Sequence, residues 1–273
     1  MAGTANGYDH SIMSTSAKLQ FRNVSFSYSN EQELFSAFSW QVFSGQSWAV
    51  LGPSGCGKTT LLTLAAGLEF PQQGEIRVAG RPLERPRPGT GLILQDYGLL
   101  PWATVQENAG LGLRIRRFYG PDGTHAPLHE VPQGDISRWL ERLDIAALAD
   151  QYPAQISGGE RQRTAIARTL ALNPDLLLMD EPFASLDAPT RRSLQELVLE
   201  LKAEHELTLV TVTHTLEEAA VLGEKILLLG HPPNRELTVI DNPRGGKLGF
   251  RGSSAYYRFC ARISGEMDRE VKG

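Results

Sequence analysis

Residues 52–60 read Gly52-Pro-Ser-Gly-Cys-Gly-Lys-Thr-Thr60 and match the phosphate-loop pattern G-x-x-x-x-G-K-[ST]. The stretch follows an apolar run, Ser47-Trp-Ala-Val-Leu51, which reads as a buried strand. It opens Thr59-Thr-Leu-Leu-Thr-Leu-Ala-Ala66, which reads as a helix. A strand that turns through glycines into a helix is the start of a parallel α/β unit, so this feature constrains the fold more than any other. The glycines let the backbone turn tightly and bring its N–H groups against a phosphate chain. The helix N-terminus adds partial positive charge at the same place. Gly52, Pro53, Ser54, Gly55, Cys56, Gly57, Lys58, Thr59 and Thr60 are therefore nucleotide-binding candidates. Lys58 is expected at the β- and γ-phosphates, and the Thr59 hydroxyl on Mg²⁺.

A second segment supplies carboxylates. Leu176-Leu-Leu-Met-Asp-Glu-Pro182 is an apolar run ending in two acids. It reads as a central parallel strand, buried on both faces. Asp180 fits the acid that holds Mg²⁺, and Glu181 fits a general base for an attacking water. A third segment, Ile156-Ser-Gly-Gly-Glu-Arg-Gln-Arg163, precedes that strand. Ser157 can cap a helix there, with the N–H groups of Gly158 and Gly159 facing an anion.

Together these segments resemble the ATP-binding-cassette (ABC) ATPases. Residues 156–160 are similar to that family's "LSGGQ" signature, with Ile156 in place of leucine and Glu160 in place of glutamine. The resemblance implies an α/β P-loop NTPase cassette. It would have a RecA-like parallel-sheet core, an N-terminal antiparallel β subdomain and an α-helical subdomain. It also implies further site residues. Tyr28 stands where the family stacks an aromatic on adenine, although Phe26 and Tyr28 also fit as ordinary strand residues. Gln95, after Leu92-Ile-Leu94, resembles the Q-loop glutamine, which reaches Mg²⁺ or the attacking water. Ser185-Leu-Asp187 resembles the D-loop and places Asp187 beside the nucleotide. His214, after Leu209-Val-Thr-Val-Thr213, resembles the switch histidine at the γ-phosphate.

The chain has 273 residues and 41% hydrophobic content, enough for one large core. Net charge is -4, so bulk electrostatics give no reason to expect nucleic acid. Its two cysteines suggest no disulfide framework. No apolar run approaches the roughly 18 residues of a membrane span. The sequence divides into a flexible tail at 1–17, a cassette at 18–230 with a helical part near 96–172, and a short extension at 231–273. Tyr256, Tyr257 and Phe259 are candidates to pack a terminal helix. In the departure from family pattern at 116–134, His125 and His129 are four apart, but the intervening proline argues against a helical metal site.

No internal repeat is present, so the chain carries one cassette. The resemblance then implies a head-to-tail homodimer around two ATP-Mg²⁺, with Ser157, Gly158 and Gly159 completing the partner's site. Gln95-Asp-Tyr-Gly-Leu-Leu-Pro-Trp102, with Thr104-Val-Gln-Glu-Asn108, resembles importer ATPases serving nitrate, sulfonate, taurine and bicarbonate systems. That branch implies a permease in the membrane, an extracytoplasmic substrate-binding protein acting indirectly, and a peripheral place on the cytoplasmic face of the inner membrane. Tyr97, Leu99, Leu100, Pro101 and Trp102 form a candidate apolar docking patch, or Trp102 fills the helical subdomain's core. Other readings are an ATPase for lipid or lipoprotein transport and a soluble ABC ATPase acting on ribosomes or DNA. Cys56 lies in the phosphate loop, so a bulky thiol reagent is expected to inhibit and bound ATP to protect.

Overall fold

A computed structural model describes residues 17–29, 32–119 and 135–270. The tail at 1–16, and His125 and His129 with most of the 116–134 stretch, lie outside the described residues. The strands are β1 (Ala17–Phe26), β2 (Phe35–Phe43), β3 (Ser47–Leu51), β4 (Gln73–Val78), β5 (Arg81–Pro82), β6 (Thr90–Ile93), β7 (Leu176–Asp180), β8 (Thr208–Val212), β9 (Lys225–Leu228) and β10 (Thr238–Asp241). The helices are α1 (Lys58–Ala66), α2 (Val105–Ala109), α3 (Leu111–Tyr119), α4 (Ile136–Arg142), α5 (Gly158–Leu170), α6 (Ala188–Glu204), α7 (Leu216–Leu222) and α8 (Ser254–Glu270).

Two sheets form. One is antiparallel, in the order β2-β1-β4-β5; the other runs β10-β9-β3-β8-β7-β6. In the second sheet the pairings β9-β3, β3-β8, β8-β7 and β7-β6 are all parallel, and β10 pairs antiparallel with β9. Strand alternation sorts its side chains to two faces. Trp48, Val50, Leu176, Leu178, Val210 and Val212 join the cluster that holds α1 and the antiparallel sheet. Ala49, Leu51, Leu177, Met179 and Leu209 join the cluster holding α5, α6 and α7. Burial on both faces explains why β3, β7 and β8 read as continuous apolar runs rather than alternating ones.

The helical part is built on local signals. Thr104 caps α2 through a capping box with Glu107, and Asp135 caps α4. Ser157 caps α5 through another box whose second member is Glu160. The Ser157 hydroxyl accepts from the Glu160 N–H at 3.3 Å, and the Glu160 carboxylate accepts from the Ser157 N–H at 2.7 Å. Glu160 can therefore serve this helix start where the family's glutamine stands, and a negative charge is favourable in a first turn.

Residues after 230 join the core. β10 extends the main sheet, and Ile240, Phe250, Tyr256 and Ile263 are buried in the same cluster as α6 and α7. Tyr256 is buried, Phe259 packs at the edge and Tyr257 is exposed. Asn242 fastens this region, donating to the carbonyls of Ala220 and Gly223 at 2.8 Å each. Ile263→Ala is expected to cost about 2–5 kcal/mol, the usual penalty for emptying a fully buried site. Urea unfolding of the intact chain measures it, and a loss below about 1 kcal/mol would mean α8 is not part of the cooperative core.

Candidate functional site

Parallel strands all deliver their carboxyl ends to one edge of a sheet, which is where α/β proteins bind ligands. β3 runs into the glycine loop, β7 into Glu181, and β8 towards His214. At that edge lies an open cleft of about 530 Å³. It is lined by Ser54, Gly55, Gly57, Lys58, Thr59 and Thr60 of the loop and helix start, by Glu181 and His214, and by Tyr28 and Leu34.

The loop geometry depends on its glycines. Gly55 and Gly57 adopt φ of 77° and 101°, left-handed values that suit glycine alone. A Cβ on Gly57 would stand 3.1 Å from the Phe35 ring, and one on Gly52 would stand 2.6 Å from the Leu229 carbonyl oxygen. Lys58 is only 8% exposed, and its ammonium donates to the carbonyls of Gly52 at 2.9 Å and Pro53 at 2.8 Å. It thus closes the loop on itself while lining the cleft. The Asn234 amide donates to the Cys56 carbonyl at 2.9 Å and holds the loop from behind.

Tyr28 lies edge-on to Phe26, with centroids 5.1 Å apart, and its hydroxyl is 3.3 Å from the Thr60 hydroxyl. The ring lines the cleft and is partly exposed, a position from which a base can stack on it. Asp180, buried at the end of β7 next to Glu181, has its carboxyl pKa raised by burial. The Thr59 hydroxyl hydrogen-bonds to it and opposes the shift, Glu181 adds to it, and Lys58 opposes it. A buried carboxylate beside one hydroxyl fits Mg²⁺, which takes one or two protein oxygens and completes its shell with water and phosphate. Glu181 has φ 44°, a strained value for a non-glycine residue that costs on the order of 1–3 kcal/mol. Its Oε2 lies 3.0 Å from Nδ1 of His214. A carboxylate held this way at the mouth of a cleft can take a proton from water.

Other candidates fall elsewhere. Pro53 and Cys56 are not among the residues that line the cleft. The Cys56 thiol is 1% exposed, and burial pushes its pKa up. The expected attack by a bulky thiol reagent is corrected on this point, because the native fold shields the sulfur. Gln95 is exposed beyond β6 and outside the cleft lining. Ser157, Gly158 and Gly159 sit at the start of α5, also outside it. Asp187 caps α6, accepting from the Thr190 N–H at 3.4 Å; this bond and the Thr190 hydroxyl lower its pKa.

The segment after Gln95 resolves one alternative. Trp102 is 74% exposed, so it does not fill the helical core. Asn108 presents it: its buried amide donates to the carbonyls of Leu100, Ala103 and Thr104, and its carbonyl accepts from the Leu100 N–H at 2.8 Å. Tyr97, in contrast, is buried and leaves the apolar patch.

Motif reading missed Glu218, Asn234 and Asn108 as residues that shape the site. Glu218 is 4% exposed, four residues after His214, and accepts from the Thr215 hydroxyl at 3.3 Å. Burial pushes its pKa up to about 7, against hydrogen bonds from Thr213 and Thr215 and the charge of Arg191, and with help from Glu181. The sequence offered only an acid at helical spacing from an apolar face.

With this geometry in place, the comparisons decide the family. The ABC transporter profile matches residues 35–184. The chain is 38% identical over 226 residues to the aliphatic sulfonates import ATP-binding protein SsuB 2 of Burkholderia lata, covering 83% of this chain and 78% of that one. The chain belongs to the ABC transporter family. The taurine import ATP-binding protein TauB of Pseudomonas aeruginosa is 42% identical over 70% of this chain and 69% of its own. Among solved structures, the dimeric post-hydrolysis state of the ATP-binding cassette MJ0796, bound to ADP and Pi, aligns with a TM-score of 0.68 at 27% identity. It covers 83% of this chain and 99% of that one. The fold is therefore an ABC cassette, and the chain is an ATP-binding ATPase of this family. Among the described residues no helix is long and apolar enough to cross a membrane.

Glu218 generates a test. Its folded-state pKa lies above the unfolded value, so its stabilising share is complete at low pH and fades as pH rises towards 7. Between about pH 5 and about pH 8, the ATPase should lose more thermal stability than its Glu218→Gln variant. Parallel melting profiles for the two would contradict this.

Proposed function

We propose that this ATPase powers import of a small anion of the sulfonate, taurine, nitrate or bicarbonate class through a partner permease. Two copies stack head to tail around two ATP-Mg²⁺. One observation supports the dimer: the cleft is open to solvent, and Ser157, Gly158 and Gly159 lie outside its lining on the same chain. A second copy can supply those donors. The names of the sulfonate and taurine import relatives support the cargo class. Exposed Trp102, with Leu100 and Pro101, supports docking of a membrane subunit, which would hold the chain at the cytoplasmic face of the membrane. An extracytoplasmic binding protein would then select the cargo, and nucleic acid has no part in the reading.

In this reading the loop N–H groups and Lys58 bind the phosphates, Tyr28 stacks on adenine, and Asp187 and Gln95 approach the nucleotide when the copies close. Thr59 and Asp180, with Gln95, would hold Mg²⁺, which supplies charge neutralisation across the phosphates. Glu181 orients water and accepts its proton at the carboxylate. His214 fixes that carboxylate from 3.0 Å and faces the γ-phosphate.

Glu181→Gln should bind ATP, run as a dimer in gel filtration with ATP and Mg²⁺, and lose about 10²–10⁴-fold in kcat. A variant that stays monomeric under those conditions would count against the head-to-tail site. Passing solubilised membranes of the source cell over tagged protein should recover a polytopic permease. Recovery of only ribosomal or DNA-bound proteins would discard transport and leave the ATPase intact.

A further inference from the structure

Two loops leave the carboxyl edge of the sheet beside the cleft. One runs from β6 through Gln95 to Trp102, and the other from β7 through Glu181 to Asp187. Among the described residues one side-chain hydrogen bond ties them. The Tyr97 hydroxyl lies 2.6 Å from the Ser185 hydroxyl. The Tyr97 ring is buried in the cluster that also holds Phe183 and Leu186.

Tyr97 is held there against its backbone preference. Its φ is 66°, in the left-handed region that a bulky side chain rarely enters. Arg168 of α5 donates to the Tyr97 carbonyl at 2.6 Å and to the Gly98 carbonyl at 2.6 Å. The other loop is pinned from α6, where Arg191 donates to the Phe183 carbonyl at 3.2 Å and the Leu186 carbonyl at 2.6 Å. A Cβ placed on Gly158 would stand 3.9 Å from the Tyr97 hydroxyl. The hydroxyl therefore sits where the loop bearing Trp102, the loop bearing Glu181 and the start of α5 meet. The first loop is otherwise anchored to α2 and α5 through Asn108 and Arg168, and the second to α6 through Arg191.

We propose that Tyr97 is a positioning residue for ATP hydrolysis. Through Ser185 it sets the 181–187 loop, and with it Glu181, according to the position of the segment that carries Trp102. Tyr97 does not line the cleft, so it acts on the chemistry only through that loop. Coupling of this kind is reciprocal: closing the loop on nucleotide must shift the Trp102 segment in turn. The inference rests on the ATPase activity and not on what docks at Trp102.

Two experiments on the intact chain test it. In the first, Tyr97→Phe and Ser185→Ala should each lower kcat about tenfold and leave KM for ATP within about twofold. The double variant should be no slower than either single one, and Ser185→Thr should retain activity. An unchanged kcat in Tyr97→Phe, or losses that multiply in the double variant, would overturn the proposal. Equal melting midpoints for wild type and Tyr97→Phe separate positioning from a folding defect; if the midpoint falls, the second experiment decides. It follows Trp102 emission, taken as the difference between each chain and its Trp102→Phe counterpart, in the Glu181→Gln background. ATP should shift this signal when Tyr97 is present and leave it unmoved in Tyr97→Phe. A shift that survives Tyr97→Phe, or no shift with Tyr97 present, would refute the link. A pull-down that finds no permease changes neither readout.

Discussion

Parallel pairing of β3 with β8, and of β8 with β7, is the constraint on which the rest of this protein depends. The register sets Val50 opposite Val212 and Asp180 opposite Val212. With that alignment, three loops distant in sequence open at the same level of one edge. The phosphate loop, the Asp180-Glu181 pair and His214 then meet without long side chains having to reach. A shift of one residue in either pairing would turn buried positions to the opposite face and separate the groups. The apolar runs of β3, β7 and β8 are what hold the register, because both faces of each strand are packed.

The site concentrates strain and charge that the core must hold in place. Glu181 takes a left-handed backbone, Asp180 and Glu218 are buried acids with raised pKa, and Lys58 is a buried cation satisfied by loop carbonyls. Each is unfavourable alone. They lie next to the most completely buried strands of the molecule, where surrounding packing over-determines the backbone. Asp180 and Glu181 stand close enough to raise the Asp180 pKa, so a cation beside Asp180 and Thr59 would relieve that repulsion.

Much of this was legible residue by residue. Gly55 and Gly57 announced positive φ, the run 176–180 announced a doubly buried strand, and Ser157 announced a helix start. Those features rest on local chemistry, and local chemistry is written in neighbouring letters. Other features were not legible. Trp102 read equally as core or surface, since an aromatic beside a proline turn satisfies either pattern; the Asn108 hydrogen bonds decide it. Tyr97 read as part of an apolar patch, but its ring packs with Phe183 and Leu186 and its hydroxyl meets Ser185, 88 positions away. Cys56 read as a reactive loop thiol until packing against the core made it inaccessible.

The sequence by itself determined the phosphate loop, the paired acids, the order of motifs and hence the α/β cassette, because each is a short pattern with its own backbone or solvation requirement. Tertiary structure alone decided which candidates share the cleft, that β10 and α8 complete the core, and that Glu218 is buried beside the site. Those outcomes depend on desolvation and contact between segments distant along the chain. Burial is a property of what packs around a residue, and no window of neighbouring letters contains it.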